Sequence, residues 1–134
     1  MEELIEVKEE VQEVKEESMT TFKLQIGEYT FSANAADTVA AKELIELLKQ
    51  ETITIEMEDY AGFEKVGSLG RSLTTSDVQT TTKAGDMVLY NGHNIFIFYG
   101  SNSWSYTRLG HIDDLSNWEK ALGSGDVRVT LSVE

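Results

Sequence analysis

Met87-Val88-Leu89-Tyr90-Asn91-Gly92-His93-Asn94-Ile95-Phe96-Ile97-Phe98-Tyr99 carries the strongest local signal in the chain. Two apolar runs, Met87 to Tyr90 and Ile95 to Tyr99, flank Asn91-Gly92, the dipeptide best suited to the positive φ angles of a type I′ turn. The stretch therefore reads as a β-hairpin, and the segments around it are read against that hairpin. Downstream, Gly100 to Ser105 reads as a loop and Tyr106 to Ile112 as a strand. Asp113 or Asp114 is placed to cap a short helix that runs through Leu122 and ends at Gly123. The last segment alternates cleanly, with Val127, Val129, Leu131 and Val133 on one face and Arg128, Thr130 and Ser132 on the other.

Upstream, Gly67 to Gly85 is rich in Ser, Thr and Gly, with Leu69, Leu73 and Val78 as its only large aliphatic residues, and reads as a long loop of the kind that often carries function. Before it, Ile53, Ile55 and Met57 alternate, and a shorter strand fits Phe63 to Val66 after the turn at Asp59 to Gly62. Ala40, Leu44, Leu47 and Leu48 make the inward stripe of an amphipathic helix whose N-cap is assigned to Asn34, while Lys42, Glu43, Glu46 and Lys49 face water. A first hairpin joins Phe22, Leu24 and Ile26 to Tyr29, Phe31 and Ala33 through Gly27-Glu28. The outcome is about eight strands and two domain helices, without the regular strand-helix alternation of a parallel sheet. A mostly β fold follows: a closed or nearly closed antiparallel barrel, which hides strand edges.

Residues 1–18 read apart from the barrel domain at 19–134. Leu4, Val7, Val11 and Val14 recur at helical spacing, but the first 17 residues hold eight Glu against two Lys, with like charges at i,i+4. Either the stripe docks on the domain or pairs with a second copy to make a homodimer, or the segment is a solvated acidic tail. That leader accounts for −6 of the net charge of −13. An acidic surface repels phosphate backbones and anionic headgroups, so nucleic acid is excluded as a partner. No run approaches the roughly 20 apolar residues a membrane span needs, so no membrane insertion is expected and the chain reads as soluble, cytoplasmic or exported. The absence of cysteine removes disulfides, thiolate nucleophiles and cysteine-type zinc sites.

Three stretches resemble the bacterial cyclophilin-like domain family: Ser105-Tyr106-Thr107-Arg108-Leu109-Gly110-His111-Ile112-Asp113 with Ala121-Leu122-Gly123-Ser124-Gly125-Asp126-Val127, Glu58-Asp59-Tyr60-Ala61-Gly62-Phe63-Glu64-Lys65, and Lys83-Ala84-Gly85-Asp86-Met87-Val88-Leu89-Tyr90. The similarity runs from about residue 21 to the end of the chain, and it implies a cyclophilin-type barrel with helices near its ends. The true prolyl isomerases use a Phe-His-Arg motif whose arginine polarises the substrate amide. Here His93 is followed by Asn94 and His111 by Ile112, so the resemblance does not carry that arginine over.

No Gly-x-Ser-x-Gly or phosphate-loop pattern occurs, which argues against a hydrolase or a nucleotide enzyme, and no cofactor is expected. His111 with Asp113 and Asp114 is the one metal-like cluster; Asp113 as a helix cap and His111 as a half-exposed strand residue account for it, so no metal is assigned. Arg108, beside Trp104, Tyr106 and Leu109, is suited to a carboxylate or carbonyl ligand, with Glu64, Asp59 or a backbone carbonyl as its structural alternative. Tyr60, Phe63, Tyr90, Phe96, Phe98, Tyr99, Trp104 and Tyr106 form an aromatic set expected to be mostly core, with some members facing a groove. Glu64 and Lys65, as neighbours on a strand, point to opposite faces. The expected function is a binding module for an extended peptide or small ligand, with Tyr60, Arg71, Tyr90, Phe98, Tyr106 and Arg108 as ligand-binding residues. The alternatives are a prolyl isomerase-like enzyme in which Arg71 or Arg108 supplies the arginine, and a structural protein that oligomerises through the leader.

Overall fold

The computed structural model describes residues 20–133, so the leader and its Leu4, Val7, Val11 and Val14 stripe lie outside the described residues. Nine strands and two helices follow: β1 (Thr21–Ile26), β2 (Tyr29–Ala35), α1 (Val39–Gln50), β3 (Ile53–Tyr60), β4 (Glu64–Ser68), β5 (Val78–Thr81), β6 (Asp86–Tyr90), β7 (Asn94–Phe98), β8 (Ser103–Ile112), α2 (Trp118–Leu122) and β9 (Val127–Val133). Eight strands pair antiparallel in the order β2-β1-β9-β3-β4-β7-β6-β8, and β2 pairs with β8 to close the barrel. β5 adds to β8 as a ninth strand outside the ring. The expected eight-stranded closed antiparallel barrel is thus the observed one.

The β6–β7 hairpin turns through Asn91 (φ 56°) and Gly92 (φ 77°), the two positive φ angles that the Asn-Gly pair supplies at least cost. Alternation places Phe22, Leu24 and Ile26 of β1, Ile55 and Met57 of β3, Met87 and Leu89 of β6, Ile95 and Ile97 of β7, and Val129 and Leu131 of β9 in one interior core. α1 adds Ala40, Leu44 and Leu48 to that core, and α2 adds Trp118 and Leu122. Trp118 meets Phe31 edge to face at 4.9 Å and its indole N–H donates to the Phe98 carbonyl at 2.9 Å. Burying each such side chain is worth about 1.5–3 kcal/mol, and this interior is where most of the fold's stability arises.

Three local readings of the helices are corrected. The N-cap of α1 is Thr38, not Asn34: its hydroxyl accepts from the Ala41 N–H at 3.1 Å and donates to the Arg108 carbonyl at 2.7 Å, tying the helix start to β8. Asn34 instead stays in β2 opposite His111, because β2 must extend to reach β8. In α1 the buried stripe takes Ala41 and Ile45, while Leu47 is only partly buried. Neither Asp113 nor Asp114 caps α2, which starts after Asn117 with no side-chain cap; Asp114 accepts from the Ser116 N–H at 2.9 Å in the preceding turn.

The segment 67–85 is not a structureless loop. Leu69 and Leu73 are buried and their N–H groups donate to His93 and Gly92 at 2.8 Å, zipping the segment to the β6–β7 turn. Val78–Thr81 pairs with Ser103–Tyr106, so β8 also begins earlier than its sequence suggests. The Val-Gln-Thr-Thr of β5 lies at an edge with only Thr80 buried, which leaves it no apolar alternation to reveal it.

Closure requires close approach. A Cβ on Gly110 would sit 2.8 Å from the Asn34 carbonyl oxygen and 3.1 Å from the Phe22 ring, where β2 crosses β8. Gly125, by contrast, has nothing within 4 Å. In urea unfolding, Gly110→Ala is expected to lose about 1–3 kcal/mol by overpacking, while Gly125→Ala stays within about 0.5 kcal/mol of the parent. Equal effects at the two positions would contradict the closure geometry.

Candidate functional site

Cross-strand partners share a face of the sheet, so register decides what each wall of the barrel shows to either side. Lys65, opposite Ile97, belongs to the same inward row as Met87; Gly67, Ile95 and Leu89 form another inward row. The alternate residues face out: Glu64 opposite Phe98, Val66 opposite Phe96 and Val88, and Tyr90 opposite Asn94. This part of the wall is therefore apolar on both sides. On the outer side Val88, Phe98 and Tyr106 form a second buried cluster, flanked by the partly buried Phe63, Tyr90 and Phe96. Phe98 stacks on Phe63 at 6.3 Å and meets Tyr106 edge to face at 5.7 Å; Tyr90 meets Phe96 at 5.2 Å and Tyr106 at 6.2 Å.

A cleft of about 570 Å³ opens over this cluster. Glu64, Val66, Tyr90 and Phe96 line it from the barrel wall, and Glu58 and Tyr60 line it from β3. Asn102, Trp104 and Tyr106 line it from the segment leading into and along the first half of β8. Trp104 and Tyr60 are more than half exposed, so the cleft has aromatic rims as well as an aromatic floor.

Glu64 is the electrostatic oddity of this surface. It is 2% exposed, and its Oε1 is the one buried side-chain oxygen or nitrogen among the described residues that has no hydrogen-bond partner. Burial pushes its carboxyl up to about 7. Leaving a buried acceptor unpaired costs about 1–3 kcal/mol. The Tyr106 hydroxyl accepts from Asn102 Nδ2 at 2.8 Å, and burial pushes that phenol above its ordinary range.

Lys65, next in sequence, has the opposite fate. It is fully buried, and its ammonium donates to the carbonyls of Gly123 and Gly125 at 3.1 and 2.6 Å, pairs with Asp59 at 3.2 Å and lies 5.5 Å from the Tyr99 ring. Asp59 also accepts from the Tyr99 hydroxyl, a bond that holds its carboxyl low and pushes the tyrosine up to about 12. Glu64 and Lys65 thus lie on opposite sides of the wall.

The six residues singled out from sequence divide. Tyr60, Tyr90 and Tyr106 line the cleft, and Phe98 is buried behind it against Tyr106. Arg71 and Arg108 do not line it. Arg71 pairs with Glu51 at 3.5 Å just after α1, and Arg108 pairs with Asp86 at 3.3 Å, a partner that differs from the Glu64, Asp59 or carbonyl expected for it. Asp86 also accepts from His111 Nδ1 at 2.7 Å and from the Lys83 N–H at 3.0 Å, so His111 is engaged away from Asp113 and Asp114. No group of three or more metal-ligating side chains gathers among the described residues. The aromatic set is less buried than expected: of its eight members only Phe98 and Tyr106 are buried, both in the outer cluster rather than inside the barrel. Glu64, Phe96, Asn102 and Trp104 were not singled out as ligand residues. For Glu64 a signal existed, because adjacent opposite charges on a short strand force one of them toward each face.

The raised Glu64 carboxyl makes stability depend on pH. Between the ordinary value of 4.5 and about 7 the unfolded chain has lost this proton while the folded chain keeps it, so stability falls as pH rises through that window. Glu64→Gln removes the effect: in urea unfolding it should gain about 3 kcal/mol on the parent between about pH 4 and pH 8. A difference between the two proteins that does not change with pH would contradict the assignment.

The cyclophilin-like family model matches residues 24–132. None of the curated proteins matches the sequence significantly. Among solved structures, the solution structure of a hypothetical protein from Archaeoglobus fulgidus is similar, with a TM-score of 0.58 at 11% identity over 86% of this chain and 95% of that one. At that identity the likeness is one of fold. Among the described residues, no helix is long and apolar enough to cross a membrane. The family match begins inside β1, ends inside β9 and takes in every strand between them, so the chain belongs to the cyclophilin-like family.

Proposed function

We propose that the protein is a ligand-binding module, and that its site is the aromatic cleft on the outer face of the β4–β7–β6–β8 wall. The observation that carries this reading is Glu64, a carboxyl buried in a cleft with an oxygen that meets no donor among the described residues. A fold tolerates such a group at a stability cost where a ligand supplies the missing partner. The cleft's volume falls within the range of small-molecule sites, about 300–1,000 Å³, and its mix of apolar floor and few polar groups is typical of them. Tyr60, Tyr90, Trp104 and Tyr106 supply contact area, and Phe98 supports Tyr106 from behind. An extended peptide offering one side chain to the cleft fits the same surface.

The prolyl isomerase-like alternative is less well supported. It needs a guanidinium directed at a substrate amide, and both candidate arginines are engaged with carboxylates elsewhere. A chymotrypsin-coupled proline-peptide assay at micromolar protein is expected to show no acceleration.

Screening small aromatic and aliphatic fragments by amide NMR is expected to yield binders that move the signals of Glu64, Asn94, Asn102 and Trp104. Trp104→Ala is expected to weaken those binders by about fivefold to tenfold, the loss of roughly 1 kcal/mol of aromatic contact. Binders whose shifts cluster instead around Tyr29–Ser32 and Asp113–Asn117, where a second hollow lies, would refute the assignment of the site.

A further inference from the structure

We infer that the cleft selects an organic cation with N–H donors, a primary alkylammonium, whose nitrogen hydrogen-bonds to Glu64 and whose carbon chain lies among Tyr60, Tyr90, Trp104 and Tyr106. This rests on the cleft being the binding site and adds the chemistry of what enters it.

The two charged side chains that line the cleft among the described residues are both carboxylates. Glu64 Oε1 is buried without a partner, and Glu58 brings a second carboxylate. Asn102 donates one Nδ2 hydrogen to the Tyr106 hydroxyl, and its carbonyl oxygen remains able to accept. Among the described residues no lysine or arginine lines the cleft; the nearest lysine in sequence, Lys65, is directed through the wall to Gly123 and Gly125. Where Glu64 is ionised, a ligand offering only lone pairs would leave it unpaired and an anion would be repelled by it. A neutral donor would satisfy the hydrogen bond but not the charge.

The aromatic lining points the same way. Faces of Tyr and Trp rings attract cations by about 0.5–2 kcal/mol, more as the site is desolvated, and four such rings line this cleft. A quaternary ammonium would satisfy the rings but offers no N–H to Oε1. A primary ammonium offers three, one for Glu64 and the others for acceptors along the cleft such as the Glu58 carboxylate. The raised carboxyl of Glu64 is consistent with a site completed by a cation, since an ion pair restores the charged form that burial disfavours.

The chemistry is shared by free amines and by a lysine side chain on an extended peptide, and the test has an arm for each. Titrations are read by calorimetry and by amide NMR at about pH 8 and low salt, where Glu64 is ionised and an alkylamine is still protonated. The ligands are n-pentylamine, 1-pentanol, pentyltrimethylammonium and Nα-acetyl-lysine methylamide. Pentylamine is expected to bind at least about tenfold more tightly than pentanol or pentyltrimethylammonium, with shifts at Glu64, Asn102 and Trp104, and Glu64→Gln should erase that preference. Acetyl-lysine methylamide binding as well as or better than pentylamine would support a lysine-bearing peptide as the source, and weaker binding a free amine. If pentanol binds in the cleft as tightly as pentylamine, the cation inference is overturned while the site stands; a quaternary ligand matching pentylamine overturns the requirement for N–H. Shifts confined to residues outside the cleft for all four would overturn the site itself.

Discussion

The ring depends on one strand meeting three partners. β8 pairs with β5 over Ser103–Tyr106, with β6 from Thr107 to His111, and with β2 from Gly110 to Ile112. The last pairing joins residues 75 to 79 positions apart and turns an open sheet into a closed barrel, leaving no free edge in the ring. It also demands a local irregularity. Between Met87 and Val88 the register jumps from Gly110 to Arg108, so Leu109 is an extra residue on β8 and the strand bends toward β2. Gly110 follows at once, and the missing side chain lets the Asn34 carbonyl and the Phe22 ring come close.

Close to that bend β8 divides into two working halves. From Thr107 on, the strand belongs to the ring, with Leu109 and Ile112 in the interior core. Over Ser103–Tyr106 it leaves with β5 as an arm, and the outer face beneath the arm becomes the cleft. Arg108 sits at the junction, directed to Asp86 rather than toward Tyr106. The Asp86 side chain, 2% exposed, binds Arg108, His111 and the Lys83 N–H together, which makes this trio a fastening of the closure. A buried charged group needs such partners, and Asp86 has three.

How much of this could be read in the residues depends on the physics behind each element. Strands with two-residue alternation or an Asn-Gly turn were legible: β1, β2, β3, β6, β7 and β9 all bury one row of large apolar side chains or bracket a strong turn. β5 was not, because its single buried residue is Thr80 and its place is defined only by its partner. The cap of α1 was missed because Thr38 and Asn34 are both competent caps, and the choice is made by the distant need of β2 to reach β8. Of the candidate site, three tyrosines were found because strand alternation forces some aromatics outward. The carboxylate partners of the arginines were not legible, because residue type says what a side chain can bind but not which carboxylate lies beside it; Asp86 comes near Arg108 only when the ring is closed.

Glu64 and Lys65 also hold β4 in place along its neighbours. A slide of one residue would carry Lys65 to the aromatic side and thrust Glu64 among Ile97, Met87 and the Gly123 and Gly125 carbonyls, stranding both charges in surroundings that repel or cannot solvate them. A five-residue strand has few hydrogen bonds with which to resist such slippage. The pair of opposite charges thus acts as a ratchet tooth, so that the only alignment available to this short segment is the one that leaves a carboxyl waiting in the cleft.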